Sequence, residues 1–174
     1  MGPTSPIEKL VRDIPDYPKP GVVFKDITPL LGDANGFAST IDRLAGPYVG
    51  TGVDRVLGIE ARGFIVAAPV AYRLGAGFVP VRKKGKLPHT THTEEYELEY
   101  GTDVLEAHVD AVEPGQRVLV VDDVLATGGT AAATIRLVER LGGVVAGLAF
   151  IIELSFLDGR SRVPGREVSS LITY

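Results

Sequence analysis

Residues 118–133, VLVVDDVLATGGTAAA, constrain this chain more than any other stretch. The four apolar residues 118–121 predict a short strand buried on both faces, because a strand with one wet face alternates instead. Asp122 and Asp123 follow. Then comes a turn of small residues, Ala126-Thr127-Gly128-Gly129-Thr130, and an alanine-rich helical pattern running to about Leu141. A turn of this kind entering a helix points backbone N–H groups at an anion, phosphate above all. The acid pair, read as sitting just past the strand end, can accept hydrogen bonds from sugar hydroxyls or approach a cation. An ordinary strand-to-helix turn would account for the glycines. It would not account for two adjacent carboxylates and a threonine on each side of Gly-Gly. Neither GxxxxGK[ST] nor GxGxxG is present, so the stretch is not a P-loop or a dinucleotide fingerprint. It reads as a site for a phosphorylated sugar.

The rest of the chain sets the frame for that site. At 174 residues, with 45% hydrophobic and 23% charged side chains, a single domain is expected over 1–174, with a core at about 33–152. A smaller hood is expected from about 1–32 and 153–174. A net charge of −4 argues against a nucleic-acid or anionic-membrane partner. The absence of cysteine excludes disulfides, thiolate zinc sites and thiol nucleophiles. No apolar run approaches the roughly 20 residues that span a bilayer. The first ten residues carry no signal-peptide pattern, so a cytoplasmic location is expected.

Taken in order, Ser5-Pro6-Ile7-Glu8 reads as a capping box, and Ile7, Leu10, Val11 and Ile14 fall on one face of a helix ended by Pro15. A short strand begins at Val22, and Asp33 or Asn35 caps a helix carrying Phe37, Ile41, Leu44 and Ala45. Residues 54–59 form the next strand, followed by Glu60-Ala61-Arg62-Gly63 and a helix to Leu74. Residues 77–81 form a third strand, ending in the basic run Arg82-Lys83-Lys84-Gly85-Lys86. Four cations at a strand's carboxyl end, where open α/β sheets bind ligands, suit a polyanion better than a plain solvated surface. Residues 87–101 are polar and read as a mobile loop leading into an antiparallel pair, with alternation from Glu97 to Val109. His89 and His92 lie in it without a third clustered ligand and are read as loop histidines. Residues 144–152 form another apolar strand, and the tail 167–174 has strand character and is placed against the amino-terminal region. The βα alternation predicts an α/β fold with a mainly parallel twisted sheet flanked by helices.

The 118–133 string closely resembles the 5-phosphoribosyl diphosphate (PRPP) motif of the type I phosphoribosyltransferases. PGVVFKDITPLL and LEYG (98–101) resemble two further segments of the adenine phosphoribosyltransferases within that family. The resemblance covers nearly the whole chain. It implies the type I phosphoribosyltransferase fold, with a small hood and a mobile catalytic loop, and the reaction adenine plus PRPP to AMP plus diphosphate in purine salvage. It implies that Phe24 stacks on adenine, with the Val23 and Lys25 main chain reading N6 and N1. Leu154 either covers the opposite face or simply packs in the core. Asp122 and Asp123 would hold the ribose hydroxyls, and Ala126, Thr127, Gly128, Gly129 and Thr130 the 5′-phosphate. Glu60, Ala61, Arg62 and Gly63 would meet the diphosphate through a turn with a cis non-proline peptide at Glu60–Ala61. Arg82 or Lys83, with Lys86 nearby, would add charge there, from the same subunit or a dimer partner. Glu99 and Arg62 are the implied catalytic residues, Glu99 managing a purine proton, with Tyr100 beside it in the loop. Mg²⁺ is the implied cofactor, carried by PRPP and not by a protein cage, and a homodimer is the implied assembly. Two other readings compete: a transferase for another base, and a PRPP-sensing regulator without turnover.

Overall fold

The computed structural model describes residues 6–97 and 101–174. A 3-10 turn at Glu8–Leu10 leads into β1 (Arg12–Pro15), which pairs antiparallel with β2 (Val23–Asp26) in a separate two-stranded sheet. Two helices follow, α1 (Thr28–Gly32) and α2 (Ala34–Ala45). Asp33 caps α2, its carboxylate accepting the Gly36 N–H at 2.7 Å. Then come β3 (Arg55–Ile59), α3 (Gly63–Leu74) and β4 (Gly77–Lys83), followed by the hairpin of β5 (Thr91–Glu97) and β6 (Thr102–His108). The chain closes with β7 (Arg117–Leu125), α4 (Gly129–Arg140), β8 (Val144–Glu153) and β9 (Val168–Thr173).

The main sheet has seven strands in the order β5-β6-β4-β3-β7-β8-β9. Strands β4, β3, β7, β8 and β9 run parallel, and β6 joins β4 antiparallel at Arg82 and Lys83. β7 lies between β3 and β8, and residues 118–121 are all fully buried. Val118 and Val120 pack on the face covered by α4, while Leu119 and Val121 pack on the face of α2 and α3. The unbroken apolar run is the sequence signature of that two-sided burial.

From β3 the chain crosses to β4 on one side, whereas β7 lies on the other, so β3 and β7 flank the point where strand order reverses. The turns after these two strands enter helices on opposite faces of the sheet and leave a crevice at the carboxyl edge. This is where the site must form.

Four expectations need correction. Residues 12–15 are a strand, not the end of a helix: the local capping signal yields one 3-10 turn, and pairing with β2 takes the rest. Asp122 and Asp123 lie inside β7, which continues in register with β8 to Leu125. The polar stretch from Thr91 is already strand, paired residue for residue with β6 from Thr91↔His108 to Glu97↔Thr102. Finally, Val168–Thr173 is not confined to a hood but forms the parallel edge strand of the main sheet against β8. Tyr174, just past it, reaches back to the hood, its ring lying 3.7 Å from the Lys25 ammonium.

Candidate active site

The site grows from three segments at the carboxyl edge of the sheet. The first is the end of β7 and its turn into α4. Gly128 has φ +80° and ψ −3° immediately before the first helical residue. A Cβ there would lie 2.3 Å from the Gly159 carbonyl oxygen, so the turn is pressed against the segment after β8. Only glycine tolerates both the dihedral and the approach. A small cavity of about 70 Å³ opens here between Asp122, Ala126, Thr127, Gly128 and Thr130. The five residues expected to hold a 5′-phosphate are contiguous at the start of α4, where N–H groups lack intrahelical acceptors.

The second segment is the turn after β3. The Glu60–Ala61 peptide is cis. Arg62 sits at the N-cap of α3 and pairs with Asp123, Nε to Oδ2 at 2.6 Å, while its guanidinium lies 5.1 Å from the Phe24 ring centroid. Gly63 is small for a reason: a Cβ would stand 2.6 Å from Asp122 Oδ1. That same oxygen accepts the Asp123 N–H at 2.9 Å. Burial, and then the neighbouring charge of Asp123, push the Asp122 carboxyl well above the usual carboxylate range. Adjacent acids of this kind can accept from sugar hydroxyls on one side and answer Arg62 on the other.

The third segment is the hood. Val23, Phe24, Lys25, Arg62, Val124 and Leu154 line an apolar pocket of about 260 Å³, with Ala126 at its junction with the phosphate turn. Tyr17 supports Phe24 edge-on, with ring centroids 5.2 Å apart. The Lys25 ammonium is turned away and bonds Asp13 at 2.7 Å, leaving the lysine main chain at the pocket. Leu154 is both partly buried core and pocket wall. A larger concavity of about 440 Å³ lies on the far side of the phosphate turn, between the β5–β6 hairpin and α4. Among the described residues its walls include Glu95, Arg136 and Arg162 and no aromatic residue but Tyr96, which suits a planar base less well.

The basic run closes the crevice beside Arg62. Lys86 Nζ pairs with Glu60, Arg82 Nε lies 3.4 Å from Glu60 Oε2, and the Lys83 N–H donates to the same oxygen at 3.0 Å. Burial works to raise the Glu60 pKa, but Lys86, the Lys83 N–H and Arg82 outweigh it and hold the carboxyl below its ordinary value. Lys83 Nζ bonds Asp103 at 2.9 Å, and Tyr96 donates to Asp103 at 3.3 Å. A polar chain therefore runs from Tyr96 of the hairpin through Asp103 to the basic run.

Of the residues singled out by sequence, those for base, ribose, 5′-phosphate and diphosphate converge on one crevice. Glu99 and Tyr100 lie outside the described residues, and the hairpin strands bring Glu97 and Gly101 to either side of them. Among the described residues no group of three or more His, Cys, Asp or Glu side chains is placed to hold a metal. His89 instead meets His108 edge-on at 5.8 Å. Sequence reasoning missed Val124, Tyr96 and Asp103. Val124 was legible in principle as the residue that follows the acids in an unbroken strand. The other two come into play only through tertiary pairing.

Comparison with known proteins follows the same lines. Residues 25–166 match the phosphoribosyl transferase domain family. The adenine phosphoribosyltransferase of Acidobacterium capsulatum is 60% identical over 169 residues, covering 97% of this chain and 93% of that one. The crystal structure of adenine phosphoribosyltransferase from Thermoanaerobacter pseudethanolicus superposes with a TM-score of 0.93 at 56% identity, covering 97% and 98% of the two chains. That of the Saccharomyces cerevisiae enzyme, complexed with an imino-altritol bisphosphate and adenine, gives 0.90 at 38% identity, covering 95% and 96%.

Proposed function

Since the chain belongs to the adenine phosphoribosyltransferases, within the phosphoribosyl transferase domain family, we propose that it joins adenine to the 5-phosphoribosyl group of PRPP. The products are AMP and diphosphate. One observation carries the reading: an aromatic-walled pocket opens directly onto a strand-acid-glycine turn, with Arg62 touching both.

The base enters between Phe24 and the aliphatic Leu154 and Val124. Among the described residues β1 is the only strand partner of β2, so one edge of its main chain is free of strand pairing and can read adenine's amino donor and ring acceptor. Asp122 and Asp123 hold the ribose hydroxyls, and the 126–130 turn holds the 5′-phosphate. The diphosphate lies toward Arg62 and the basic run, whose cations exchange Glu60 and Asp103 for phosphate oxygens. In the reaction the C1′–O bond to diphosphate breaks and the N9–C1′ bond forms through a ribose with oxocarbenium character. The N9 proton passes to a base, for which Glu99 in the hairpin loop is our candidate. Closure of that loop keeps water from the reactive sugar.

Mg²⁺ fits the donor set: two adjacent carboxylates beside a phosphate site are the protein share of a cation held chiefly by substrate oxygens. Bound there through PRPP, it would neutralise charge on the leaving diphosphate. A homodimer is supported by Ile65 and Tyr72, seven residues apart on α3 and 45% and 90% exposed, beside the exposed Phe78 of β4. A cytoplasmic location agrees with a chain without cysteine. No helix among the described residues is long and apolar enough to cross a membrane.

The test is turnover of purified protein with adenine and PRPP, with and without Mg²⁺, followed by a panel of bases. AMP and diphosphate formed in equal amounts, dependent on Mg²⁺, are expected. Turnover of a 6-oxopurine without turnover of adenine would reject the base assignment, and binding of PRPP without any turnover would favour a sensor.

A further inference from the structure

Glu106 is a buried acid that the mechanism above does not use. It stands in β6 between the buried Leu105 and Ala107 and is 3% exposed. An acid in that environment must be bonded on nearly every lone pair to remain. Its partners all lie on one side. Oε1 accepts the N–H of Lys86 and of Leu87, each at 2.9 Å, and Thr91 Oγ1 lies 3.4 Å from Oε2. Burial tends to raise its pKa, but the backbone N–H groups of the turn after β4 prevail and hold the carboxyl below its ordinary value. The carboxylate is therefore ionised at neutral pH and wrapped by the main chain of a single turn.

That turn is the basic run. Gly85 has φ +83° where the chain reverses. Arg82, paired across the strands with Glu106, donates from Nη1 to the Lys86 carbonyl at 3.1 Å, so its guanidinium is tied to the same turn. The charged heads of Arg82 and Lys86 answer Glu60 and not Glu106. The two acids thus divide the work. Glu60 meets the cations, which can leave it for a phosphate, while Glu106 grips the backbone that carries them.

Building on the proposed diphosphate site, we propose that Glu106 is a positioning residue for the diphosphate end of PRPP, fixing the main chain of residues 85–87 and hence the reach of Arg82 and Lys86. A long basic side chain is flexible, so the placement of its Cα decides which phosphate oxygen it meets. Without the carboxylate, the Lys86 and Leu87 N–H donors lose their acceptor and the turn is free to drift.

AMP shares base, ribose and 5′-phosphate with the reaction's substrates but carries no diphosphate, so it separates positioning from general structural damage. Titration calorimetry of Glu106→Gln should show PRPP affinity, with Mg²⁺ present, reduced about tenfold, the loss of one charge-assisted contact set, and AMP affinity within about twofold of wild type. Gln keeps the length and one acceptor oxygen but offers the Lys86 and Leu87 N–H groups a neutral acceptor in place of a charged one. Glu106→Asp keeps the charge and withdraws it by one methylene. It reads the same PRPP-to-AMP ratio should the Gln variant not fold, and a shift in the same direction is expected. Unchanged PRPP affinity in a folded variant, or PRPP and AMP weakened in parallel, would overturn the proposal. Wild-type protein that binds AMP but not PRPP would instead overturn the diphosphate site on which it rests.

Discussion

Arg62 and the two aspartates concentrate the chemistry of this molecule in three side chains. Arg62 touches Asp123 at 2.6 Å and faces Phe24 at 5.1 Å, so one guanidinium borders the proposed base pocket, the acid pair and the turn before α3. The acids are costly neighbours, because two carboxylates this close resist being charged together. Asp122 carries that cost, its carboxyl raised by burial and by Asp123. An acid whose pKa is higher folded than unfolded binds more protons in the folded state between the two values. Stability therefore falls as pH rises through that interval and levels off above it. Asp122→Asn removes this falling limb. Thermal melts of variant and wild type, compared from about pH 4 to 8, should diverge in the variant's favour as pH rises. The same change should weaken AMP binding about tenfold through the lost ribose contacts. Parallel melting curves would contradict the raised carboxyl, and intact AMP affinity the ribose role.

Strand, turn and helix 117–140 form the element on which the site is built, and its seat is a glycine-to-glycine contact. Gly128 meets the Gly159 carbonyl, and a Cβ on Gly159 would lie 2.3 Å from the Ala126 carbonyl. The segment after β8 is itself fixed, since Arg160 bonds Glu153 through Nε at 2.6 Å and Nη2 at 2.7 Å, and Ser170 adds a bond to Glu153 at 2.6 Å. Gly128→Ala must relieve both a left-handed φ and a backbone clash. Urea unfolding should show a loss of about 1–3 kcal/mol, and AMP binding should weaken with it. Gly32→Ala, with open space around it and no positive φ, should change neither. Elements also show where local signals mislead. The capping-box pattern before Ile7 is a helix signal, but Ile14 and Phe24 pair across a ribbon and the chain follows the pairing. Thr91–Glu97 looks like loop because its side chains are polar, yet it is an edge strand with a partner on one side only.

At the scale of the whole molecule, the sheet order brings together segments far apart in sequence: Phe24 from the hood, Arg62 from β3, Arg82 from β4, the 122–130 turn from β7 and Leu154 from β8. The exposed Ile65, Tyr72 and Phe78 remain to be covered, and our expectation is a second copy of the chain. Light scattering should give twice the chain mass for wild type, and Tyr72→Glu should shift the population toward monomer. A monomeric wild type would refute it.

By itself, the sequence determined the buried run 118–121, the glycine turn and the alternation of strands and helices, because each is a local pattern with a local physical cause. With the family resemblance it also singled out Phe24 as the expected base-stacking residue and residues 60–63 as the expected diphosphate turn. Tertiary structure alone decided that the acids lie within β7, that Val168–Thr173 joins the main sheet, and that Asp103, Tyr96 and Glu106 tie the hairpin to the site. Those outcomes depend on which strand lies beside which, and backbone pairing and the burial of a charge are properties of neighbours in space. The 118–133 stretch reads as a site for a sugar phosphate from its own residues; the fold decides what stands around it.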